Sequence, residues 1–172
     1  TQGTEILIEG EIGYLPGNSD IEGEIELNEK ILTNIDDVEK FLQQTQVDLL
    51  AISIGNVHGI PTSVKQSGNI LSKPQIDFNL IAGINSRIQK LNLSVGLVLH
   101  GGSGLNDEDF IKSIESGIKI IHINTEFRKL WKESLIRELN QKTVVPYTIY
   151  NEVINVLKER IIYYQKRELY GK

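Results

Sequence analysis

Short apolar runs and longer amphipathic stretches alternate along the chain. Glu5-Ile6-Leu7-Ile8-Glu9 is rich in β-branched residues and is followed by Gly10, Gly13, Pro16 and Gly17, which predicts a strand running into a loop. Thr33 or Asn34 is placed to cap a helix whose apolar positions Ile35, Val38, Phe41 and Leu42 fall on one face. The stretch 47–54 is nearly all apolar, as expected of a strand covered on both faces, and it ends in Gly55-Asn56-Val57-His58-Gly59. The following segment, with Gly68 and Pro74, reads as a long loop. Ile81, Ile84, Ile88 and Leu91 mark a second helix, then 95–99 a strand and His100-Gly101-Gly102-Ser103-Gly104 a turn. Asn106 is the expected cap of a third helix, with Asp107, Glu108 and Asp109 in the first turn, where negative charge suits the helix dipole, and Gly117 at its end. A last strand spans 118–123. Two closing helices run through Phe127, Leu130, Trp131, Ile136 and Leu139, and through Val153, Val156, Leu157, Ile161 and Tyr164.

Strands alternating with helices predict parallel βα units, with the polar and glycine-rich residues at the C-terminal strand ends, where such folds place their sites. The fold class expected is α/β, a (β/α)₈ TIM barrel. A complete barrel takes about 250 residues, and about four βα units are visible, so residues 1–172 are expected to be the C-terminal half of a single domain whose N-terminal strands lie outside this sequence. Both faces of every strand look apolar, so the half is expected to need a partner segment or an assembly to cover its inner face and its edges.

Composition narrows the function. A net charge of −5 without clustered Lys or Arg gives no footprint for nucleic acid or an anionic membrane, and there is no cysteine for a disulfide framework. No apolar run is long enough to span a bilayer. Small soluble ligands become the expected partners and the cytoplasm the expected compartment.

All three histidines, His58, His100 and His122, fall at the ends of apolar strands. Imidazole is the commonest metal ligand, and two from adjacent strands could share an ion; ordinary hydrogen-bonded histidines are the alternative. Glu9 and Glu11 lie along the first strand end, and only one of them is expected to face inward, where it could join the imidazoles in a ligand set suited to zinc; a solvated acidic edge is the alternative. The glycines of the 100–104 turn allow close backbone approach, and with Ser103 they could form a nest for an anion, phosphate above all. His122-Ile123-Asn124-Thr125 adds donors and a helix start at the same place, although any tight turn between strand and helix also calls for glycine.

Taken together, Glu9-Gly10-Glu11-Ile12-Gly13, Ile54-Gly55-Asn56-Val57-His58-Gly59, Leu99-His100-Gly101-Gly102-Ser103-Gly104 and His122-Ile123-Asn124-Thr125-Glu126 resemble, in order and spacing, the class II fructose-bisphosphate and tagatose-bisphosphate aldolases. The resemblance implies a metal-dependent lyase that cleaves or forms a phosphorylated ketose through the ene-diolate of dihydroxyacetone phosphate. It implies zinc or another divalent ion, with His58 and His100 matching two ligands and Glu11 an additional or alternative one. Gly59, Gly101, Gly102, Ser103, His122, Ile123, Asn124 and Thr125 fall on the positions that bind dihydroxyacetone phosphate. The family's remaining metal histidine and its acid–base aspartate belong to an N-terminal half outside this sequence, so this chain by itself is expected to be inactive, and a homo-oligomer or pairing with an N-terminal half is expected. Here His122 stands for a customary asparagine and Asn124 for a customary aspartate. The loop after the first strand offers only Asp20 or Glu22 as an acidic group, and Val145-Pro146-Tyr147-Thr148 offers no arginine for a distal phosphate. A non-catalytic phosphosugar-binding member is the competing reading, and a metal-free phosphosugar isomerase a more distant one.

Overall fold

The computed structural model describes residues 6–17, 24–27, 32–66, 69–142 and 144–168. In chain order the elements are β1 (Glu9–Ile12), β2 (Glu24–Leu27), α1 (Ile35–Thr45), β3 (Leu49–Ile52), β4 (Ser63–Gln66), β5 (Asn69–Leu71), α2 (Phe78–Lys90), β6 (Gly96–Leu99), α3 (Asp107–Ser116), β7 (Ile118–Ile121), α4 (Thr125–Leu139) and α5 (Pro146–Glu168). The main sheet is parallel throughout, in the order β1-β3-β6-β7, and each of its strands is followed along the chain by a helix. That is the α/β arrangement read from the sequence, a run of four βα units of barrel type. No helix among the described residues is long and apolar enough to cross a membrane.

Leu50, Ile52, Leu97, Leu99 and Ile118 on one face of this sheet pack with Val38 and Leu42 of α1 and Ile81, Ile84 and Ile88 of α2, all buried. Each fully buried Leu or Ile contributes roughly 1.5–3 kcal/mol, which makes this layer the main source of stability. Local signals shape its helices. The Asn34 side chain accepts the Asp36 amide at 2.8 Å, Asn106 accepts that of Asp109 at 2.8 Å, and Gly117, at φ 126°, closes α3. Of the two residues expected to cap α1, Asn34 does so. Thr33 instead joins the ends of β1 and β3, donating its hydroxyl to the Ile12 carbonyl and accepting the Ser53 amide, each at 2.8 Å.

Three expectations are corrected. The first strand, expected over 5–9, runs over 9–12 among the described residues, outside which Glu5 lies, because its ladder with β3 pairs Glu9 with Leu49 and so carries Gly10 inside the strand. A Cβ on Gly10 would lie 2.9 Å from the Phe41 ring, so this glycine marks close packing of α1 on the strand and not the start of a loop. The segment read as a long loop contains β4 and β5, paired antiparallel, and with β2 they form a second, three-stranded sheet under which Val64 is buried with Val57. Its strands are three or four residues long, too short for period-two alternation to stand out.

The third correction concerns the inner face of the main sheet. Residues in register share a face, so Glu9, Leu49 and Gly96 lie together, and Glu11, Ala51 and Val98 form the next row. That face is small and partly acidic, not uniformly apolar, and none of the large apolar residues of β3, β6 or β7 is exposed. The large exposed apolar side chains lie elsewhere, most of them at Ile6, Leu7 and Ile8 ahead of β1 and along α4 and α5.

Candidate metal and phosphate site at the strand ends

Because β6 and β7 are parallel neighbours with Leu99 opposite Ile121, the residues that follow them, His100 and His122, emerge side by side. The His122 amide donates to the Leu99 carbonyl at 2.9 Å, and the two rings stack with centroids 4.7 Å apart and planes 17° apart. His58 arrives from the loop after β3, the other neighbour of β6, with its ring centroid 6.4 Å from that of His100. The His58 backbone is held from the other side, its amide donating to the Pro16 carbonyl at 2.9 Å.

Glu9 and Glu11 both reach His100. Glu9 Oε1 lies 2.7 Å from His100 Nε2, and Glu11 Oε2 lies 3.3 Å from His100 Nδ1. The expectation that only one of the two faces inward therefore fails, since residues two apart on a strand share a face. In the row of Glu11, the residue of β3 between β1 and β6 is the small Ala51. Glu9 Oε2 also lies 3.8 Å from His122 Nε2. Glu9, His100 and His122 each offer one ligand atom to a group whose members all lie within 4.8 Å of one another. Of the residues expected to bind metal, His58 and His100 thus stand on one rim with Glu11 at hydrogen-bond distance from His100, while the tightest donor group draws in Glu9 and His122.

Beside the histidines is a cavity of about 170 Å³ lined by His58, Gly59, His100, Gly101, Ser103, His122, Asn124 and Thr125. Six of the eight residues expected to bind phosphate therefore face one space. Gly102 and Ile123 do not line it. Gly102 is packed against the end of β7, its amide donating to the His122 carbonyl at 2.9 Å, and a Cβ there would meet Ile121 Cγ2 at 2.5 Å. Gly101 has φ 72°, and a Cβ on it would lie 2.1 Å from the Val57 carbonyl oxygen, so only glycine allows the loops after β3 and β6 to approach this closely. Asn124 offers no side-chain cap to α4; the Ser103 hydroxyl takes that place, accepting the amides of Asn124 and Glu126 at 3.2 Å each. A hydroxyl that accepts in this way still carries one proton to donate.

Two contributors are absent from the residues expected at the site. Asn56, fully buried, accepts the Ile54 amide and donates to the His100 carbonyl, each at 2.9 Å, so it fixes the backbone that carries the histidine. An asparagine between Gly55 and Val57 in a buried turn is the sequence signal for that role, since a buried amide has to find partners. Glu126, largely buried, is bound through its carboxylate by Arg160 and Tyr164 of α5, so the helix start beside Ser103 is tied to the last helix. Burial, then the hydrogen bond to Glu126, holds the Tyr164 phenol well above its ordinary range. Asp20 and Glu22 lie outside the described residues.

Known proteins of one family resemble this chain. The family model for class-II fructose-bisphosphate aldolase matches residues 1–168. A fructose-bisphosphate aldolase of Ureaplasma parvum is 36% identical over 134 residues, covering 76% of this chain and 39% of the relative. The 6-phospho-5-dehydro-2-deoxy-D-gluconate aldolase of Shouchella clausii is 33% identical over 130 residues, 75% of this chain and 38% of the relative. Among solved structures, the YdjI aldolase of Escherichia coli K12 superposes with a TM-score of 0.61 at 28% identity, over 86% of this chain and 48% of that one. The chain thus spans about half or less of the length of the proteins it matches.

Proposed function

The chain belongs to the class II fructose-bisphosphate aldolase family, and on that premise we propose that it carries the metal-binding rim and the phosphate pocket of a metal-dependent aldehyde-lyase acting on a phosphorylated ketose. The observation that supports this most is the convergence of segments from three strand ends, after β3, β6 and β7, on one cavity lined by histidine, glycine and hydroxyl groups. In the reading we propose, residues 1–172 are the C-terminal part of one barrel, completed by an N-terminal half or by assembly along the edges at β1 and β7.

The donor set suits a borderline divalent ion such as zinc: His58 and His100, with Glu11 as a further ligand, combine imidazole nitrogens with carboxylate oxygen. When bound, such an ion supplies Lewis-acid stabilisation of the negative charge that develops on the substrate's oxygens as the carbon–carbon bond breaks. The other residues position the substrate. Ser103 donates a hydrogen bond to the phosphate, Gly59 and Gly101 let backbone approach it, and the start of α4 at Asn124 and Thr125 favours its charge. Held there, dihydroxyacetone phosphate has its reacting carbons directed toward the histidines, and Asn56 keeps the His100 backbone from shifting as charge moves.

The test is the release of dihydroxyacetone phosphate from ketose bisphosphates by the purified full-length protein, with and without a chelator. Release that the chelator abolishes and added zinc restores is the expected result. Tight binding of dihydroxyacetone phosphate with no cleavage of any ketose bisphosphate would favour the non-catalytic binding protein. Cleavage or isomerisation that is indifferent to the chelator would remove the metal from the reading.

A further inference from the structure

The most compact cluster of metal-binding groups among the described residues is not the one implied by family resemblance. We propose that Glu9, His100 and His122 form a divalent-cation site of this chain, in which His122 acts on the ion and not on the phosphate. The argument begins with topology. Parallel β6 and β7 set His100 and His122 side by side, and their stacked rings, 4.7 Å between centroids, bring both Nε2 atoms to the same carboxylate. One oxygen of Glu9 faces each ring, at 2.7 Å from His100 and 3.8 Å from His122.

Those spacings are close to what an ion requires. Ligands about 2.0–2.1 Å from a tetrahedral zinc lie about 3.3–3.4 Å from one another, so shifts on the order of an ångström, opening the 2.7 Å contact and closing a group that spans up to 4.8 Å, would seat three donors around one ion. The site is also accessible. The side chains of Glu9, His100 and His122 are 28, 20 and 48% exposed, which leaves an entry path and room for water or a substrate oxygen in the fourth position. Two imidazoles and one carboxylate favour zinc, cobalt or nickel over magnesium, which prefers an all-oxygen shell. His100 is shared with the set that includes His58 and Glu11, but its Nε2 faces Glu9 while its Nδ1 faces Glu11, so the two sets use different sides of one ring.

The test is direct metal binding, which does not depend on aldol chemistry. Cobalt is titrated into the apo form of the full-length protein by calorimetry and followed by its visible spectrum, with magnesium as the control, for the wild type, His122→Asn, Glu9→Gln and His58→Asn. Expected are saturation by cobalt but not by magnesium, and a loss for both His122→Asn and Glu9→Gln at least as large as the roughly 10- to 100-fold that removal of an outer-shell partner costs, with an altered cobalt spectrum. His122 is half exposed, so its variant should fold, and thermal melts without metal check this. Cobalt affinity and spectrum unchanged in His122→Asn would overturn the proposal, as would a wild type that binds no cobalt. A protein that binds cobalt through His122 yet cleaves no ketose bisphosphate would overturn the proposed lyase function alone.

Discussion

α2 and α4 both space apolar residues three and four apart, yet the chain uses them differently. On α2, Ile81, Ile84 and Ile88 are all buried against the main sheet. On α4 the one buried residue is Ser134, while Trp131, Ile136 and Leu139 are 47, 50 and 61% exposed, and the neighbouring α5 exposes Tyr147, Tyr150, Ile154 and Ile161 as well. The central βα units make their own core. The last helix buries Ile149 and Val153 and packs the Tyr164 ring near Phe110 and Phe127, and polar contacts add to this, with Arg160 and Tyr164 holding Glu126, and Tyr163 donating to Asp107 of α3 at 2.6 Å. The difference teaches that amphipathic spacing identifies a helix but not what covers its apolar side.

The sharpest way to break this contrast is to truncate one residue in each region. Ile84→Ala should lower the unfolding free energy by about 2–5 kcal/mol, the usual range for a buried isoleucine, whereas Ile154→Ala should stay within about 0.5 kcal/mol, as surface changes do. Denaturant unfolding of the two variants measures both. A cost for Ile154→Ala comparable to that for Ile84→Ala, with melts that shift with protein concentration, would mean that a second copy covers α5 in solution and that the contrast exists only within one chain.

Smaller effects are expected where the site meets the core. Gly101→Ala places a methyl 2.1 Å from the Val57 carbonyl at a positive φ, so the loops after β3 and β6 must separate at a cost of at least about 1–3 kcal/mol. Phosphate binding should fall with it, and a variant as stable as wild type would show that the two loops are not tightly joined. Ser103→Ala separates two roles of one hydroxyl. It should weaken binding of dihydroxyacetone phosphate by roughly 1.5–3 kcal/mol, the worth of a hydrogen bond to a charged group, and stability by about 1 kcal/mol through the lost cap on α4. A stability loss with unchanged binding would leave Ser103 as a structural residue.

Strand order and the convergence of the glycine-rich turns were legible because parallel βα units bring successive strand ends to one rim, and the four motifs fall at those ends. Two things were harder to see. The partnership of Glu9 with His100 depends on β1 and β6 flanking β3 with the small residue Ala51 between them, a three-strand relation that no local spacing reports. The Glu126 contacts to α5 join residues 34 and 38 positions apart, and a lone glutamate in the first turn of a helix reads equally well as a favourable charge at the helix dipole. By contrast, the pairing of His100 with His122 follows from sequence once β6 and β7 are known to be adjacent and parallel, since each histidine is the first residue after its strand.

The smallest effect isolates the polar tie between α5 and the site. Burial and the hydrogen bond to Glu126 raise the ionisation of Tyr164 above its unfolded value, despite Arg160, which acts in the opposite direction. A group whose folded value is raised contributes stability that is complete below the unfolded value, about 10 for a phenol, and that is lost as pH rises through the folded one. Tyr164→Phe keeps the ring, and with it the contacts to Phe110 and Phe127 at 5.6 and 6.2 Å, while removing the hydroxyl. At neutral pH the variant should therefore lose only about 1 kcal/mol, the net worth of one hydrogen bond. Above pH of about 10 the wild type should lose stability more steeply than the variant, because only the wild type has this phenol to ionise on unfolding. Thermal melts of both proteins from neutral to alkaline pH measure the gap between the two curves, and that gap should close as pH rises. No gap at neutral pH would mean that Tyr164 holds α5 through packing alone, and the joining of the last helix to the site would then rest on Arg160.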